Sequence, residues 1–528
     1  MEQEFELIAK TFMGLENVLA QELTQLGANN IQVGRRMVSF TGDKEMMYRA
    51  NFQLHTAIRI LKPIKHFKAA SADEVYNNVK DLDWSAYIPE GKTFAVDSVV
   101  YSDEFRNSHF VTYKVKDAIV DQFRERTGKR PNISLTNPDI RLHIHIAGDD
   151  ATLALDSSGD SLHRRGYRQE SVEAPLNEVL AAGMILMTGW KGDTDLIDPM
   201  CGSGTIAIEA ALIARNISPG VFRKGFAFEK WPDFDEELFS RIYNDDSQER
   251  EFNHHIYAYD IDMKAVNTAR LNVKAAGLTQ DITVDQQDFK DFKKPEEKSI
   301  IIMNPPYGER ITTPNLLGTY RMIGEKLKHD FTGNEAWVLS YRAECFEQIG
   351  LKPSIKIPLY NGSLECEFRK YTLFDGKMAE FRSQGGVVKT DEEKAEMAQK
   401  HRFKKNREFK EHLNGDDYYS LKREAAANEE GDIRSFKFHS FDRRKFDDDH
   451  HDYGRPRRDN RRDARDDYRG KDNFRGKDSF RGKDGFRGKD GFKKDGFKKD
   501  RDRRAFSHPD KNAPARSKRF NRETYDEE

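Results

Sequence analysis

The segment Ser299–Arg310 reads SIIIMNPPYGER and predicts the strand and turn around which the rest of the chain is arranged. Its apolar run, residues 300–303, is typical of a buried strand in a parallel sheet. The strand must end at the two prolines that follow, because proline donates no hydrogen bond and stiffens the backbone. We therefore expect Asn304, the Pro305 carbonyl and the ring of Tyr307 at the carboxyl end of a strand, where open α/β sheets bind ligands.

These groups suit a flat base that has an exocyclic amine. The Asn304 side-chain oxygen and the Pro305 carbonyl can accept hydrogen bonds from the amine, while the Tyr307 ring stacks on the base. We predict a catalytic corner formed by Asn304, Pro305, Pro306 and Tyr307, called the NPPY corner below. A plain turn, with asparagine and proline present only for turn chemistry, is the alternative that four residues leave open.

A second ligand-binding segment is predicted from residue 195 onward, where the pattern becomes strand, glycine-rich loop and apolar helix. The loop reads DPMCGSGT, residues 198–205, and is called the glycine loop below. Its two glycines let a ligand approach the backbone and expose helix-terminal N–H groups, although a dinucleotide-binding loop has a similar pattern. The predicted cofactor-binding residues in it are Asp198, Pro199, Cys201, Gly202, Ser203, Gly204 and Thr205.

Two later strand ends add candidate cofactor contacts, and Asn304 of the NPPY corner is predicted to contact the cofactor as well. Asp260 follows the strand at residues 256–259 and can accept hydrogen bonds from both hydroxyls of a ribose. Asp288 can accept from an adenine amine while Phe289 covers the ring; a loop carboxylate without a ligand is the alternative. Strands that alternate with helices, with polar residues at successive strand ends, predict a doubly wound α/β domain.

The basic stretch LHRRGYR, residues 162–168, predicts a contact with phosphate. A simple basic linker explains its composition equally well. The predicted RNA-binding residues are Arg164, Arg165, Tyr167 and Arg168, together with Arg310 after the NPPY corner.

Several of these motifs together resemble one family. Residues 160–375 resemble a class I S-adenosylmethionine-dependent methyltransferase, with DPMCGSGT as its first motif, YDID as its second and NPPY as its amino-methylating motif. The set LHRRGYR, APLNE, DPMCGSGT and NPPYGER is similar to the bacterial 23S ribosomal RNA guanine-N2 methyltransferases. The resemblance implies S-adenosylmethionine as the methyl donor and the N2 amine of a guanine in 23S ribosomal RNA as the acceptor.

The resemblance also implies the domain order. We expect a ferredoxin-like segment at residues 1–60, a THUMP RNA-binding domain at 61–158 and a Rossmann-like catalytic domain at 159–375. Some members of the family have a second methyltransferase domain after the first; here the sequence becomes polar and repetitive after Asp375, so we do not expect the activity of such a domain. Three alternatives stay open: a tRNA guanine-N2 methyltransferase, a DNA adenine-N6 methyltransferase, and a non-catalytic RNA-binding or ribosome assembly factor.

The composition of the chain bounds its partners. Residues 401–528 hold 38 basic and 29 acidic side chains, whereas residues 1–400 hold 50 and 61. A basic segment on an acidic body is typical of proteins that contact nucleic acid. With three scattered cysteines and no long apolar run, we expect a cytoplasmic protein without a metal site or a membrane segment.

Residues 376–528 predict a disordered tail. FRGKD-like units place Phe474, Phe480, Phe486 and Phe492 six residues apart among cations, a pattern that cannot form a core. Single aromatic rings between cations suit transient contacts with unpaired RNA bases and phosphates. A tail that only solubilises the protein is the alternative.

Deletion of the chain after residue 400 is expected to weaken RNA binding and to reduce its salt dependence. The reason is that fewer cations would then release counterions from the phosphates. Affinity measured over a series of salt concentrations tests this expectation. An unchanged salt slope would favour the solubilising tail.

Overall fold

The computed structural model describes residues 4–376 apart from positions 103, 106, 296–297 and 309–314, together with the isolated positions 383 and 394. The described residues form an amino-terminal α+β module with one mixed sheet, followed by a Rossmann-like α/β domain with a second sheet. Arg310 and the repeats of the predicted tail lie outside the described residues.

The amino-terminal module is built on one eight-stranded sheet. Its elements are β1 (Phe5–Lys10), α1 (Glu16–Leu26), β2 (Asn29–Gly34), β3 (Met37–Gly42), α2 (Lys44–Gln53), β4 (Arg59–Lys68), α3 (Ala72–Lys80), β5 (Thr93–Tyr101), α4 (Ser108–Thr127), β6 (Asn132–Ile133), β7 (Ile140–Ala147) and β8 (Asp150–Asp156). The strand order is β2-β3-β1-β4-β8-β7-β5-β6. Strand β4 pairs with β1 on one side and with β8 on the other, so the ferredoxin-like and THUMP parts share a continuous sheet.

The second domain has a seven-stranded sheet. Its elements are α5 (Glu178–Thr188), β9 (Asp195–Asp198), α6 (Thr205–Arg215), α7 (Glu236–Asn244), β10 (Ile256–Asp260), α8 (Met263–Ala275), β11 (Ile282–Gln286), β12 (Ser299–Met303), α9 (Leu316–Asp330), β13 (Glu335–Ser340), α10 (Ala343–Ile349), β14 (Ile355–Asn361) and β15 (Leu364–Thr372). The strand order is β11-β10-β9-β12-β13-β15-β14. The first five of these strands run parallel, and β15 pairs antiparallel with both β13 and β14.

The predicted central strand is confirmed as β12. All five of its residues are buried, and it lies between the parallel strands β9 and β13. From β9 the chain continues to β10 on one side of the sheet, and it later returns to β12 on the other side. The segments that leave β9 and β12 therefore diverge, which opens a crevice at their carboxyl ends.

An aromatic insertion between α6 and β10 packs into the core of the amino-terminal module. Phe228 is fully buried and stacks on Tyr48 of α2, with ring centroids 4.3 Å apart. Phe239 of α7 contacts the same Tyr48 ring edge-on at 5.8 Å. The sequence predicted no role for this segment, which joins the two parts of the molecule through a shared hydrophobic core.

A buried ionic network joins the same two parts through the linker. The Arg165 guanidinium lies 3.3 Å from the carboxylate of Glu209 on α6, and the Tyr167 hydroxyl donates to that carboxylate at 2.9 Å. Arg165 also donates to the backbone carbonyls of Leu162 and of His55, which belongs to the amino-terminal module. Burial by itself raises the pKa of Glu209, but Arg165 and His55 outweigh it and hold the pKa below its usual value.

Replacement of Glu209 by glutamine is expected to destabilise the fold by about 3–5 kcal/mol, because it leaves the buried Arg165 cation unpaired. Urea denaturation of the wild type and the variant measures this difference. Glu325→Gln is the matched control, since Glu325 is exposed on α9 and its loss should cost no more than about 0.5 kcal/mol. Equal midpoints for the wild type and Glu209→Gln would contradict the assigned role.

Candidate active site

The carboxyl ends of the parallel strands surround a cavity of about 560 Å³. This volume lies within the range of roughly 300–1,000 Å³ that is usual for small-molecule sites. The predicted residues that line it are Asp198, Pro199, Cys201, Gly202, Ser203, Thr205, Asp260, Asp288, Phe289, Asn304, Pro305, Pro306 and Tyr307. The structure thus brings the glycine loop and the NPPY corner to one cavity.

The two glycines of the glycine loop have different surroundings. Both have the left-handed backbone that favours glycine, with φ of +54° at Gly202 and +80° at Gly204. Gly202 lines the cavity, whereas Gly204 lies behind its wall, where a Cβ would be 3.2 Å from the Cβ of Ala269 on α8. Gly204 therefore allows α6 to approach α8 closely, and the structure shows no surface of it toward the cavity.

Asp260 is held in place by the backbone around it. One carboxylate oxygen accepts from the Gly202 N–H and the other from the Asp262 N–H, each at 2.9 Å. Burial raises the pKa of Asp260, and the nearby Asp262 carboxylate adds to the effect. Each oxygen retains lone-pair capacity, so this carboxylate can still accept hydrogen bonds from sugar hydroxyls.

Asp198 is a buried carboxylate whose hydrogen-bonding capacity is largely unused. It is fully buried at the end of β9, and no hydrogen bond of ordinary geometry reaches either carboxylate oxygen from the described residues. Burial raises the pKa of Asp198 well above its usual value; a contact with the Met200 backbone N–H opposes this effect, and the charge of Asp260 adds to it. An unsatisfied buried carboxyl costs free energy, so this position favours a ligand that brings N–H donors or positive charge. The ammonium and sulfonium groups of S-adenosylmethionine meet that requirement.

The NPPY corner presents an acceptor without a partner. Oδ1 of Asn304 is buried and makes no hydrogen bond with a described residue, although it lies at the wall of the cavity. The Tyr307 hydroxyl accepts from the Asn361 amide at 2.6 Å, and its ring meets Tyr341 edge-on at 5.6 Å. These contacts fix the aromatic ring beside the free amide oxygen.

Asp288 and Phe289 combine structural contacts with a place on the cavity wall. Asp288 caps a short 3₁₀ turn by accepting from the Lys290 N–H, and it also pairs with the Lys290 ammonium at 2.9 Å. Burial raises the pKa of Asp288, but these contacts with Lys290 outweigh it and lower the pKa overall. Phe289 stacks on Phe331 at 5.7 Å, so it anchors this wall to the core.

The linker residues require a correction. Arg165 and Tyr167, predicted to bind RNA, are buried and directed to Glu209, so their side chains have no surface for RNA. Arg168 is largely buried and contacts Glu178 and the glycine loop, which replaces its predicted RNA contact by an internal one. Arg164 is exposed, and its RNA contact stays a prediction.

Sequence reasoning missed part of the lining. The segment Val172–Leu176 forms one wall of the cavity, and Asn361 at the end of β14 contributes to another. The APLNE motif, residues 174–178, overlaps the first of these segments, but its composition alone does not indicate a cavity wall. Asn361 is 54 residues from Tyr307, and no local pattern connects them.

The fold and the site define a Rossmann-like methyltransferase. Residues 165–370 match the model of the RMKL-like methyltransferase domain, residues 69–156 that of the THUMP domain and residues 6–61 that of the RlmL ferredoxin-like domain. This chain belongs to the family of RMKL-like methyltransferases that have a THUMP domain.

Its relatives support this assignment. A putative RNA methyltransferase of Synechocystis is 38% identical over 364 residues, which are 68% of this chain and 95% of that protein. A ribosomal RNA large subunit methyltransferase K/L of Syntrophotalea carbinolica is 39% identical over 387 residues, 71% of this chain and 54% of that protein. The chain thus spans about half the length of the K/L relatives it matches.

A solved structure agrees with the same fold. The crystal structure of SMU.472, a putative methyltransferase complexed with SAH, has a TM-score of 0.65 and 32% identity to this chain. The match covers 71% of this chain and all of that one. Among the described residues, no helix combines the length and apolar character needed to cross a bilayer, and no cluster of His, Cys, Asp or Glu is arranged to hold a metal ion.

Asp260→Asn is expected to weaken binding of S-adenosylmethionine about 10- to 100-fold, because a hydrogen bond to a charged acceptor contributes about 1.5–3 kcal/mol. Isothermal titration calorimetry measures this change. Asp285→Asn is the control, since Asp285 is exposed on β11 and pairs with Arg270 outside the cavity. Equal donor affinity in Asp260→Asn and the wild type would exclude this carboxylate from the donor site.

Proposed function

We propose that this protein methylates the exocyclic N2 amine of a guanine in 23S ribosomal RNA. The observation that supports the chemistry is the unpartnered, buried Oδ1 of Asn304 on the wall of the same cavity as the glycine loop. The resemblance of the NPPYGER and LHRRGYR motifs supports guanine N2 as the acceptor, and the names of the K/L relatives support ribosomal RNA.

The methyl donor of this enzyme is S-adenosylmethionine, which supplies an electrophilic methyl group when bound. Gly202 and Asp260 lie where they can hold its nucleoside part, and Asp198 offers an acceptor to its polar groups.

The NPPY corner acts on the acceptor base. The N2 amine of guanine is a poor nucleophile, because its lone pair is delocalised into the ring. Hydrogen bonds from that amine to Oδ1 of Asn304 and to the Pro305 carbonyl favour the pyramidal amine and stabilise the positive charge that develops on nitrogen. Tyr307 stacks on the base, and its hydroxyl contact with Asn361 holds the ring in position.

The rest of the catalytic effect comes from placement. The corner and the glycine loop follow the neighbouring strands β12 and β9, so the amine and the methyl group are held at one edge of the sheet. Fixed, in-line placement of two reactants removes much of the entropic barrier. The guanine must be unpaired or flipped out of its helix to enter the corner.

The acceptor can be identified directly. Radiolabelled methyl donor is supplied with unmodified ribosomal RNA, tRNA or DNA, and the modified nucleoside is determined by mass spectrometry. Label in N2-methylguanine of 23S ribosomal RNA is expected. Label in N6-methyladenine would overturn the guanine assignment, and label only in tRNA would indicate a tRNA guanine-N2 methyltransferase.

Asn304→Ala is expected to lower the rate of methyl transfer by about 10²–10³-fold, because it removes one of two acceptors that stabilise the developing charge. Donor affinity should change little, and calorimetry with S-adenosylhomocysteine measures it. Asn244→Ala, at the exposed end of α7, is the matched control and should leave both quantities unchanged. Full activity in Asn304→Ala would remove this residue from the mechanism.

A further inference from the structure

The cavity described above, called the donor cavity below because it is assigned to the methyl donor, has one wall with few backbone hydrogen bonds. Residues 169–177, called the pocket loop below, connect the linker to α5 without a helix or strand. Val172 lies opposite the glycine loop, where its Cγ2 would be 3.7 Å from a Cβ at Gly202. Ala174 has φ of +54°, a left-handed backbone that is uncommon for a residue with a side chain. In the described part of the chain, the backbone from residue 171 to 175 makes no hydrogen bond.

Arg168 fastens both ends of the pocket loop to the glycine loop. Arg168 directly precedes the pocket loop, and Glu178 directly follows it. The Arg168 guanidinium pairs with the Glu178 carboxylate at 2.7 Å and donates to the Leu176 carbonyl at 3.2 Å, so the two ends of the loop are held together. The same guanidinium donates to the hydroxyls of Ser203 at 2.8 Å and Thr205 at 2.9 Å. Four of its five N–H donors are thus engaged within the protein.

Asn272 makes the second connection. It is fully buried on α8, and its amide oxygen accepts from the Gln169 N–H at 2.8 Å and the Glu170 N–H at 3.3 Å. Its amide nitrogen donates to the carbonyls of Glu170 and Ser203, each at 3.0 Å. Ser203 of the glycine loop is therefore the point at which both connections meet.

We propose that Arg168 and Asn272 are positioning residues of the methyl-donor site. They hold the pocket loop against the glycine loop, so that the two walls of the donor cavity have a fixed separation before the donor binds. Without them, the loop must be ordered at the moment of binding, and that entropic cost weakens the affinity. The inference rests on the donor site and is independent of which RNA base is methylated.

Loss of a positioning residue and loss of an RNA-binding residue change different measurable quantities. A positioning residue of the donor site raises the KM for the donor and leaves kcat at saturating donor largely intact. An RNA-binding arginine would instead weaken RNA affinity and reduce its salt dependence. The engaged guanidinium of Arg168 favours the first behaviour.

The test measures binding of S-adenosylhomocysteine to the full chain by calorimetry and the exchange of backbone hydrogens in residues 169–177. Arg168→Gln should weaken binding about tenfold or more and accelerate exchange in the pocket loop, while RNA affinity is retained. Arg168→Lys should recover part of the affinity, because lysine can keep the contact with Glu178 but cannot also reach both hydroxyls. Asn272→Ala should resemble Arg168→Gln.

Two controls separate positioning from general destabilisation. Arg321→Gln removes an exposed arginine of α9, and Val75→Ala truncates a fully buried side chain in the core of the amino-terminal module. Neither should change donor affinity, although Val75→Ala lowers the melting temperature. Unchanged donor affinity in Arg168→Gln, or a loss of RNA affinity in its place, would overturn the inference. Failure of the wild type to bind S-adenosylhomocysteine would overturn the donor assignment itself, and this inference with it.

Discussion

A buried carboxylate, Glu209, is the constraint on which the arrangement of this molecule depends. It lies on α6, directly after the glycine loop, and its partner Arg165 also donates to a carbonyl of the amino-terminal module. Removing two charges from water is costly, and their attraction offsets this cost only while the geometry is kept. A shift of the linker relative to the glycine-loop helix would therefore leave a buried charge unpaired, and a shift of the amino-terminal module would break the hydrogen bond from Arg165 to the His55 carbonyl.

The order of the strands in the second sheet brings the two halves of the candidate site together. Because β9 and β12 are neighbouring parallel strands, the segments after them open at the same edge of the sheet. One of those segments presents the glycine loop and the other presents the NPPY corner, so the proposed sites for the methyl donor and for the acceptor base are adjacent. The aromatic insertion between α6 and β10 fixes the amino-terminal module beside this domain through a common core. A predicted RNA-binding module is thus held at a constant position relative to the catalytic cavity.

Two hydrogen-bond acceptors on the cavity wall, in Asp198 and Asn304, lower the stability of the fold but are available to a ligand. Oδ1 of Asn304 has no hydrogen-bond partner among the described residues, the buried carboxylate of Asp198 has only a weak contact with the backbone N–H of Met200, and both residues lie on the cavity wall. Buried acceptors elsewhere in proteins are almost always satisfied, since an unsatisfied one costs about 1–3 kcal/mol. A donor with cationic groups and a base with an amine would each supply the missing hydrogen bonds. If both ligands bind as proposed, their binding free energy would include the relief of this cost.

The sequence by itself determined the local elements and the chemistry at their ends. The apolar run of β12 specified a buried strand, the glycine loop specified a strand-to-helix turn, and Asp260 was recognised as a strand-end acid because these are short-range patterns. The site residues found this way share one property, which is that they lie at the carboxyl end of a strand or in the segment after it.

Only the tertiary structure decided which side chains turn inward. In the linker, Arg165 and Tyr167 are buried while Arg164 is exposed, yet the composition of the segment does not distinguish them. The roles of Gly204, Asn272 and Asn361 likewise depend on neighbours far away in sequence. A local sequence pattern specifies the periodicity with which side chains alternate between the faces of a helix or strand. Which neighbour each face contacts depends on the packing of elements that are distant in the sequence, so it can be read only from the folded chain.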